Sequence, residues 1–360
     1  MTYADFDLIR LSRSDPVAGP DAAEAVRTAF GLTGELTRLP GEADDNFLLC
    51  SAVGARYVVK VAHARADPAV VAVQARVLRY LERTAPGLPV PRLVPGSDGQ
   101  PWQVIAAGPL RGRLVHVVTY LDGQPLRAAV AAAGLRRRLG ATLAVLGRAL
   151  REFDDGPPPT RPLLWDLAQL PLLQPLLAEL PPAPATRLLD EQLGRLCADV
   201  LPLLAAQRRQ LVHNDLNPDN VLIRPQQPRQ EISGIIDFGD LTVTALVNDV
   251  AIAAAYQLAA DGDPLGPALE LIAGYHAEVA LTPAELTLLP DLILARVLAR
   301  IVISEWRAVR FPENVEYIMR HTPIARAQFD RLRALPADET AARLRQACPQ
   351  EASPQEASSA

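Results

Sequence analysis

The amino-acid sequence predicts a two-lobed α+β fold, with a small antiparallel sheet near the N-terminus and a larger, mostly helical body after it. Three observations carry that expectation. The β-prone runs at 35–39, 46–53 and 56–61 are separated only by a Pro-Gly turn and by Gly54-Ala55, the spacing of an antiparallel meander. Beyond residue 130 the apolar residues switch to helical spacing. Among the long helical stretches one segment, 211–239, returns to β-prone runs and crowds amides and acids between them. A chain of 360 residues with 49% hydrophobic content has the material for two lobes around a cleft.

Residues 1–20 hold Asp, Ser, Pro and Gly with little periodicity and read as a flexible lead-in. Pro20-Asp21 starts a short helix at 22–30, with Ala22, Ala25, Val26 and Ala29 at helical positions. After the meander, 68–81 is an amphipathic helix carrying Val70, Val73, Val77, Leu78 and Leu81 on one face. Pro- and Gly-rich punctuation then frames strand candidates at 102–106 and 114–120. The second runs into Leu121-Asp122-Gly123, a good turn and the expected boundary between an N-terminal lobe (21–121) and a C-terminal one (122–345). Helices are expected at 130–153, at 188–207 around a central Pro202, and at 245–260, 265–280, 283–311 and 324–334. From Pro349 the sequence Pro-Gln-Glu-Ala-Ser is written twice with nothing to build a core, so 346–360 is expected to be a disordered tail.

The chemistry concentrates in 211–239. His213, Asn214, Asp215, Asn217, Asp219 and Asn220 lie on a turn between Leu211-Val212 and Val221-Leu222-Ile223, and Gly234-Ile235-Ile236 leads into Asp237-Phe238-Gly239, a hairpin-like arrangement with polar ends. Three of the chain's six asparagines fall here. A hard divalent cation such as Mg²⁺ takes oxygen ligands, usually one or two carboxylates or amides completed by water and substrate phosphates. Asn220 and Asp237 can supply two such oxygens. Asp215 then faces a substrate hydroxyl as proton acceptor or orienter. Either motif alone is what a turn stabilised by its own side chains would look like; both together, each at the end of a β-prone run, point to phosphoryl transfer.

A phosphate-binding cation stands far upstream. Lys60 is the one lysine among 36 Lys and Arg residues, and it sits in the β-prone run Arg56-Tyr57-Val58-Val59-Lys60-Val61. A compact ammonium on a flexible stem suits phosphate oxygens in a cleft, and a planar guanidinium does not replace it. The preceding turn, Pro40-Gly41-Glu42-Ala43-Asp44-Asp45-Asn46, has one glycine and three acids. Asn46 and backbone N–H groups can meet phosphate oxygens, while the acids are expected to point elsewhere or lie near the metal.

The residues 213–220, with Ile236-Asp237-Phe238-Gly239-Asp240 and Lys60, resemble the motifs of the aminoglycoside phosphotransferase and choline kinase superfamily, whose members share the protein-kinase-like fold. Residues 39–47 and 240–251 are most similar to its hydroxylysine kinase and type II homoserine kinase branches, and the resemblance covers about residues 25–335. It implies that Lys60 holds the phosphates of ATP or GTP, that Asn220 and Asp237 hold Mg²⁺ with Asp240 facing metal or a substrate amine, and that Asp215 serves the acceptor hydroxyl. His213 and Asn217 would belong to the same catalytic loop, with His213 bracing it and Asp249 holding its backbone. Asp122 would mark the hinge that meets the nucleotide base, and Gln74 stands where kinases carry a glutamate paired to the lysine. The implied acceptor is a small amine-bearing metabolite with a hydroxyl, hydroxylysine-like in first place, with homoserine or an aminoglycoside as alternatives. Trp165-Asp166 and the region of Ser304, Glu305, Trp306, Arg307, Asn314 and Tyr317 fall where this family builds its acceptor pocket. Gln74 and the acidic turn depart from the kinase pattern and keep open a nucleotide-binding protein without transfer activity.

A net charge of −5 and a pI near 5.6 argue against a nucleic-acid partner, since phosphate backbones need a basic surface. Arg136-Arg137-Arg138 sits inside a helical pattern and reads as a solvated face. Cys50, Cys197 and Cys348 are odd in number and in no metal-like spacing, which suits a reducing compartment. The acidic start MTYADFDLIR has no signal-peptide pattern, and the most apolar helix, 245–260, is short and broken by Asn248 and Asp249. No membrane partner and a cytoplasmic location are therefore expected.

Overall fold

The computed structural model describes residues 16–41, 44–128, 132, 134–157, 161–224 and 230–350. Helix α1 (Gly19–Phe30) buries Ala22, Ala25, Val26 and Phe30 and stops at Gly31, whose φ of 66° places the chain in the left-handed region that glycine enters without strain. Strands β1 (Glu35–Leu39), β2 (Asp45–Cys50) and β3 (Arg56–Val61) form the expected meander. Helix α2 (Pro68–Thr84) follows, its first turn capped by the Asp67 side chain accepting from the Ala69 N–H. Two short strands, β4 (Leu93–Val94) and β5 (Gln103–Val104), and the longer β6 (Leu114–Thr119) complete an antiparallel sheet in the order β1-β2-β3-β6-β4, with β5 also on β6. Phe47, Leu49, Val59, Val61, Val115 and Val117 alternate onto one face and pack against α1. Val58 and Val118 on the other face join the core that α2 shares with the helical body.

After β7 (Gln124–Pro125) the chain turns helical: α3 (Leu135–Arg151), α4 (Gln174–Ala178), α5 (Pro184–Arg195) and α6 (Leu201–Ala205). Two further small sheets carry the segment of interest. Of the hairpin-like arrangement expected over 211–239, strands β8 (Arg209–Val212), β9 (Val221–Arg224) and β10 (Glu231–Ile235) form only the β9–β10 part as one sheet, and a further strand, β11 (Thr242–Ala245), takes β8. Thus β9 pairs with β10 and β7, while β8 pairs with β11. Alternation within a strand fixes which side chains share a face but not which strand is the neighbour. Helices α7 (Leu246–Ala255), α8 (Gly266–Glu278), α9 (Pro283–Arg310), α10 (Val315–Met319), α11 (Thr322–Arg333) and α12 (Ala337–Ala347) complete the body.

The core centres on α9, which starts with a full capping box between Thr282 and Glu285 and buries Leu289, Leu292, Val297, Leu298, Ile301 and Val302. Helices α3 and α8 cross where side chains are absent: a Cβ on Gly140 would lie 1.9 Å from the Leu271 carbonyl oxygen, and one on Gly274 1.9 Å from that of Arg137. The helix expected at 188–207 is interrupted by a π-helical turn at Leu196–Val200, next to Pro202, which has no N–H for the helical ladder.

The described parts of both segments expected to be loose carry packed structure. In the expected lead-in, Val17 is buried and its carbonyl accepts from Arg38, and α1 begins at Gly19; residues 1–15 lie outside the described set. The expected tail begins inside α12, and Cys348 is fully buried, so folded structure extends at least three residues past 345; residues 351–360 lie outside the described set. Among the described residues no helix is long and apolar enough to cross a membrane.

Candidate active site

The loop between β8 and β9 is built from its own polar side chains. Asn217 Oδ1 accepts from the Asp219 and Asn220 N–H groups at 2.7 and 3.3 Å, closing the turn that the run of Asn and Asp predicts. Asn217 Nδ2 donates to Asp215 Oδ2 at 2.9 Å, and Asn220 Nδ2 donates to the same oxygen at 2.8 Å and to the Asp215 carbonyl at 2.9 Å. His213 is fully buried; its Nδ1 accepts the Asp215 N–H at 3.3 Å, which leaves Nε2 to donate to the Ile236 carbonyl at 3.1 Å. Its ring also meets Phe238 edge-on with centroids 4.9 Å apart. His213 therefore ties the loop to the strand leading to Asp237 and touches no cleft. Beneath it, the buried Asp249 carboxylate accepts the His213 and Asn214 N–H groups at 3.3 and 2.8 Å, with Asn214 in the left-handed region at φ 65°. Burial raises the Asp249 pKa, opposed by His213 and by these two bonds.

Asp215 has one partner that sequence reasoning missed. Arg296, 1% exposed on α9, donates from Nη2 to Asp215 Oδ1 at 3.1 Å and from Nη1 to the Trp165 carbonyl at 2.9 Å. Its guanidinium is stacked 4.7 Å from the Trp165 ring centroid and 5.6 Å from that of Tyr256. Trp165 is thus a platform for this arginine, while the buried Asp166 accepts from Thr244, Asn248 and the Ala168 N–H and anchors the segment. Even so, burial first, then the negative charges of Asp240 and Asp237, push the Asp215 carboxyl up to about 8 against the pull of Arg296 and Asn217.

Asp237 takes a left-handed backbone (φ 61°) at the end of β10, a conformation a non-glycine residue holds only when its surroundings impose it. Its Oδ1 accepts the Gly239 N–H at 3.2 Å and lies 3.6 Å from Lys60 Nζ, joining the sheet to the loop. Asp237 is half exposed. With Nδ2 committed to Asp215, the Asn220 Oδ1 accepts no hydrogen bond from the described residues. The Ile236 N–H donates to the Asn220 carbonyl at 2.9 Å, bringing Asn220 against the residue before Asp237; one carboxylate and one amide oxygen are a donor set suited to a hard cation that keeps water and phosphate ligands, so the residues fit the metal that the motifs imply. Among the described residues no cluster of three His, Cys, Asp or Glu side chains forms a metal cage. Asp240 is buried, 3.8 Å from Arg161, whose guanidinium also bonds the Gly239 carbonyl; its partner here is a cation of the chain.

On the sheet, strand register puts Asn46, Lys60 and His116 in one row across β2, β3 and β6, on one face. Asn46 Nδ2 donates to the Pro40 carbonyl at 3.2 Å. His116 is buried, and burial, then the Lys60 charge, push its pKa down to about 3, so it is a neutral neighbour that does not compete for the lysine's partners. Two of the acids in the preceding turn point away: Asp44 accepts the His63 N–H at 2.9 Å, and Asp45 bonds Arg38 at 2.5 Å and faces Arg113 at 3.6 Å; Glu42 lies outside the described residues. Gln74, half-buried on α2, makes no hydrogen bond among the described residues, and the acid that Lys60 meets there is Asp237, at 3.6 Å. Asp122 lies apart from the cluster, exposed and paired with Arg56. Of the residues expected near the acceptor, Glu305 bonds Arg326 at 2.7 Å and the buried Trp306 donates to Glu179 at 2.8 Å, both packing roles.

A model of the phosphotransferase enzyme family matches residues 35–287. The chain belongs to that family. This phosphotransferase is 27% identical over 308 residues to a hydroxylysine kinase of Danio rerio, covering 82% of this chain and 86% of the relative. It is 25% identical over 322 residues to the Mus musculus hydroxylysine kinase, covering 83% and 84%. Among solved structures, an amicoumacin kinase in complex with AMP-PNP and Ca²⁺ superimposes with a TM-score of 0.63 at 18% identity, covering 88% of this chain and 97% of that one. A microcompartment-associated aminopropanol kinase follows at a TM-score of 0.61, 18% identity and the same coverage. Both establish the two-lobed kinase-like fold for the phosphotransferase.

Proposed function

We propose that this phosphotransferase moves the γ-phosphoryl group of ATP or GTP onto a hydroxyl of a small amine-bearing metabolite, with a hydroxylysine-like acceptor. The observation that carries the reading is two pairs, Lys60 with Asp237 at 3.6 Å and Asn220 with Asp215 at 2.8 Å, linked by the Ile236 N–H, which donates to the Asn220 carbonyl at 2.9 Å. Lys60 neutralises phosphate oxygens, and Asn220 and Asp237 offer the oxygens that hold Mg²⁺. When bound, the metal draws off charge developing on the transferring group. Asp215, oriented by Asn217, Asn220 and Arg296, accepts a hydrogen bond from the attacking hydroxyl and takes its proton as the O–P bond forms. His213 and Asp249 act by fixing the loop. Asn46 lies beside Lys60 as a further phosphate contact, and the chain from Leu121 to Gly123 forms the hinge between lobes.

The hydroxylysine kinases that resemble this chain over more than four-fifths of its length favour a hydroxylysine-like acceptor over homoserine or an aminoglycoside. Cys50, Cys197 and Cys348 are unpaired, in keeping with a reducing cytoplasmic setting. A screen of ATP and GTP against 5-hydroxylysine, homoserine, ethanolamine, choline and an aminoglycoside tests the reading, with Mg²⁺-dependent transfer to one acceptor expected. The absence of a hydrogen bond to Gln74 favours a second reading, a nucleotide-binding protein. Thermal stabilisation by nucleotide with Mg²⁺ and no transfer to any hydroxyl would establish that one instead.

A further inference from the structure

Two arginines on α9 lie one turn apart and have different partners. Arg296 commits its charge to Asp215 at 3.1 Å. Arg300, four residues on and about 6 Å further along the axis, has no carboxylate within ion-pair distance among the described residues. Its guanidinium lies 4.6 Å from the Tyr256 ring centroid and donates to Gln328 Oε1 at 3.3 Å. It lines a cavity of about 200 Å³ together with Arg127, Pro218, Tyr256, His321 and Gln328. Pro218 belongs to the catalytic loop, three residues after Asp215, so the cavity adjoins the reacting site.

Its charge is one-sided. Arg127 is matched by Asp219 through two hydrogen bonds of 2.7 and 2.6 Å, which leaves Arg300 uncompensated. His321 is held below its usual range by burial, then by Arg127, Arg320 and Arg300, with Asp219 alone opposing them. A half-buried guanidinium in such surroundings is complementary to an anion, and its planar fork matches a carboxylate.

We propose that this cavity receives a carboxylate of the acceptor, with Arg300 as its ion-pair partner, so that the phosphotransferase selects hydroxylated amino acids over the corresponding amino alcohols. The inference rests on the phosphotransfer reading above and names its acceptor class. The helical spacing puts Arg300 about one turn, roughly 6 Å, along the axis from Arg296, which holds the group that serves the hydroxyl, so the two ends of one short aliphatic acceptor can meet both.

Matched acceptor pairs test it: 5-hydroxylysine with its decarboxylated diamine, and homoserine with 3-aminopropan-1-ol, each assayed on the wild type, R300M and R300K. In the wild type, kcat/KM for the carboxylate-bearing member of a pair is expected to exceed that of its partner by about 10- to 100-fold, the range for a partly desolvated charge pair. R300M should bring that ratio close to one, mainly through KM, and R300K should retain part of it. If R300M does not fold, the wild-type ratio and R300K decide. A wild-type ratio near one in both pairs, or one that R300M leaves unchanged because both members fall together, overturns the proposal and returns Arg300 to a packing role on Tyr256. Transfer confined to the decarboxylated members overturns this inference alone, whereas transfer to no member of either pair overturns the phosphotransfer reading and this inference with it.

Discussion

On the catalytic-loop side of the site each polar side chain is held by another, whereas on the sheet side the row Asn46, Lys60 and His116 is held mainly by backbone register. Asp215 is gripped by Asn217, Asn220 and Arg296, and the N–H groups of His213 and Asn214 end on Asp249. Opposite, Asn46 Oδ1 and His116 Nδ1 are buried without a hydrogen-bond partner among the described residues, and Gln74 makes no hydrogen bond there. The difference teaches where geometry is set in advance. On the proposed reading, the wall that serves the acceptor is arranged before ligands arrive, which suits a reaction that depends on positioning, while the wall proposed to hold the nucleotide keeps polar atoms for its phosphates.

That comparison can be broken in graded ways. Asp237→Ala removes the residue joining the two walls and should lower kcat/KM by about 10³-fold or more in a steady-state assay; a loss below tenfold would show that the walls act without it. Arg296→Met leaves Asp215 without its guanidinium, and a fall of about 10²-fold in kcat with a lowered melting temperature is expected, partly restored in Arg296→Lys. Lys60→Arg keeps the charge but not the compact head, so the KM for nucleotide should rise about tenfold while acceptor KM stays within threefold. Gln74→Glu, which offers Lys60 a second acid, should change nucleotide KM by no more than about threefold.

The raised carboxyl of Asp215 gives a pH signature. The folded protein binds that proton more tightly than the unfolded chain, so without metal or nucleotide this group costs stability progressively as pH rises from 3.8 towards about 8. Melting temperatures of Asp215→Asn and wild type, taken across that window with a chelator present, should therefore separate increasingly in favour of the variant as pH rises. A constant separation would mean that Asp215 is already charged throughout.

The features that break local composition were legible in the sequence. Lys60 stands alone among arginines, and the Asn- and Asp-rich turn interrupts apolar runs, so both announced themselves together with the meander that carries the lysine. Arg296 did not, because one arginine among 35 has no signature by type. A signal was present in Leu294-Ala295-Arg296-Val297-Leu298-Ala299-Arg300, where two cations share one face of a helix otherwise apolar enough to be buried and so require partners. Helix α12 was missed because it rests on few buried side chains, Leu344 and the adjoining Cys348 chief among them. The distribution of β7 to β11 between two sheets depends on pairing across long stretches of chain, which no local period encodes.

The most direct test is Asp215→Asn, assayed for single-turnover phosphoryl transfer alongside nucleotide-induced thermal stabilisation. A rate reduced by about 10³-fold, with the melting-temperature increase on adding nucleotide and Mg²⁺ kept within a degree or two of wild type, is the expected result. Turnover close to wild type would contradict the central claim that Asp215, held by Asn217, Asn220 and Arg296, serves the acceptor hydroxyl.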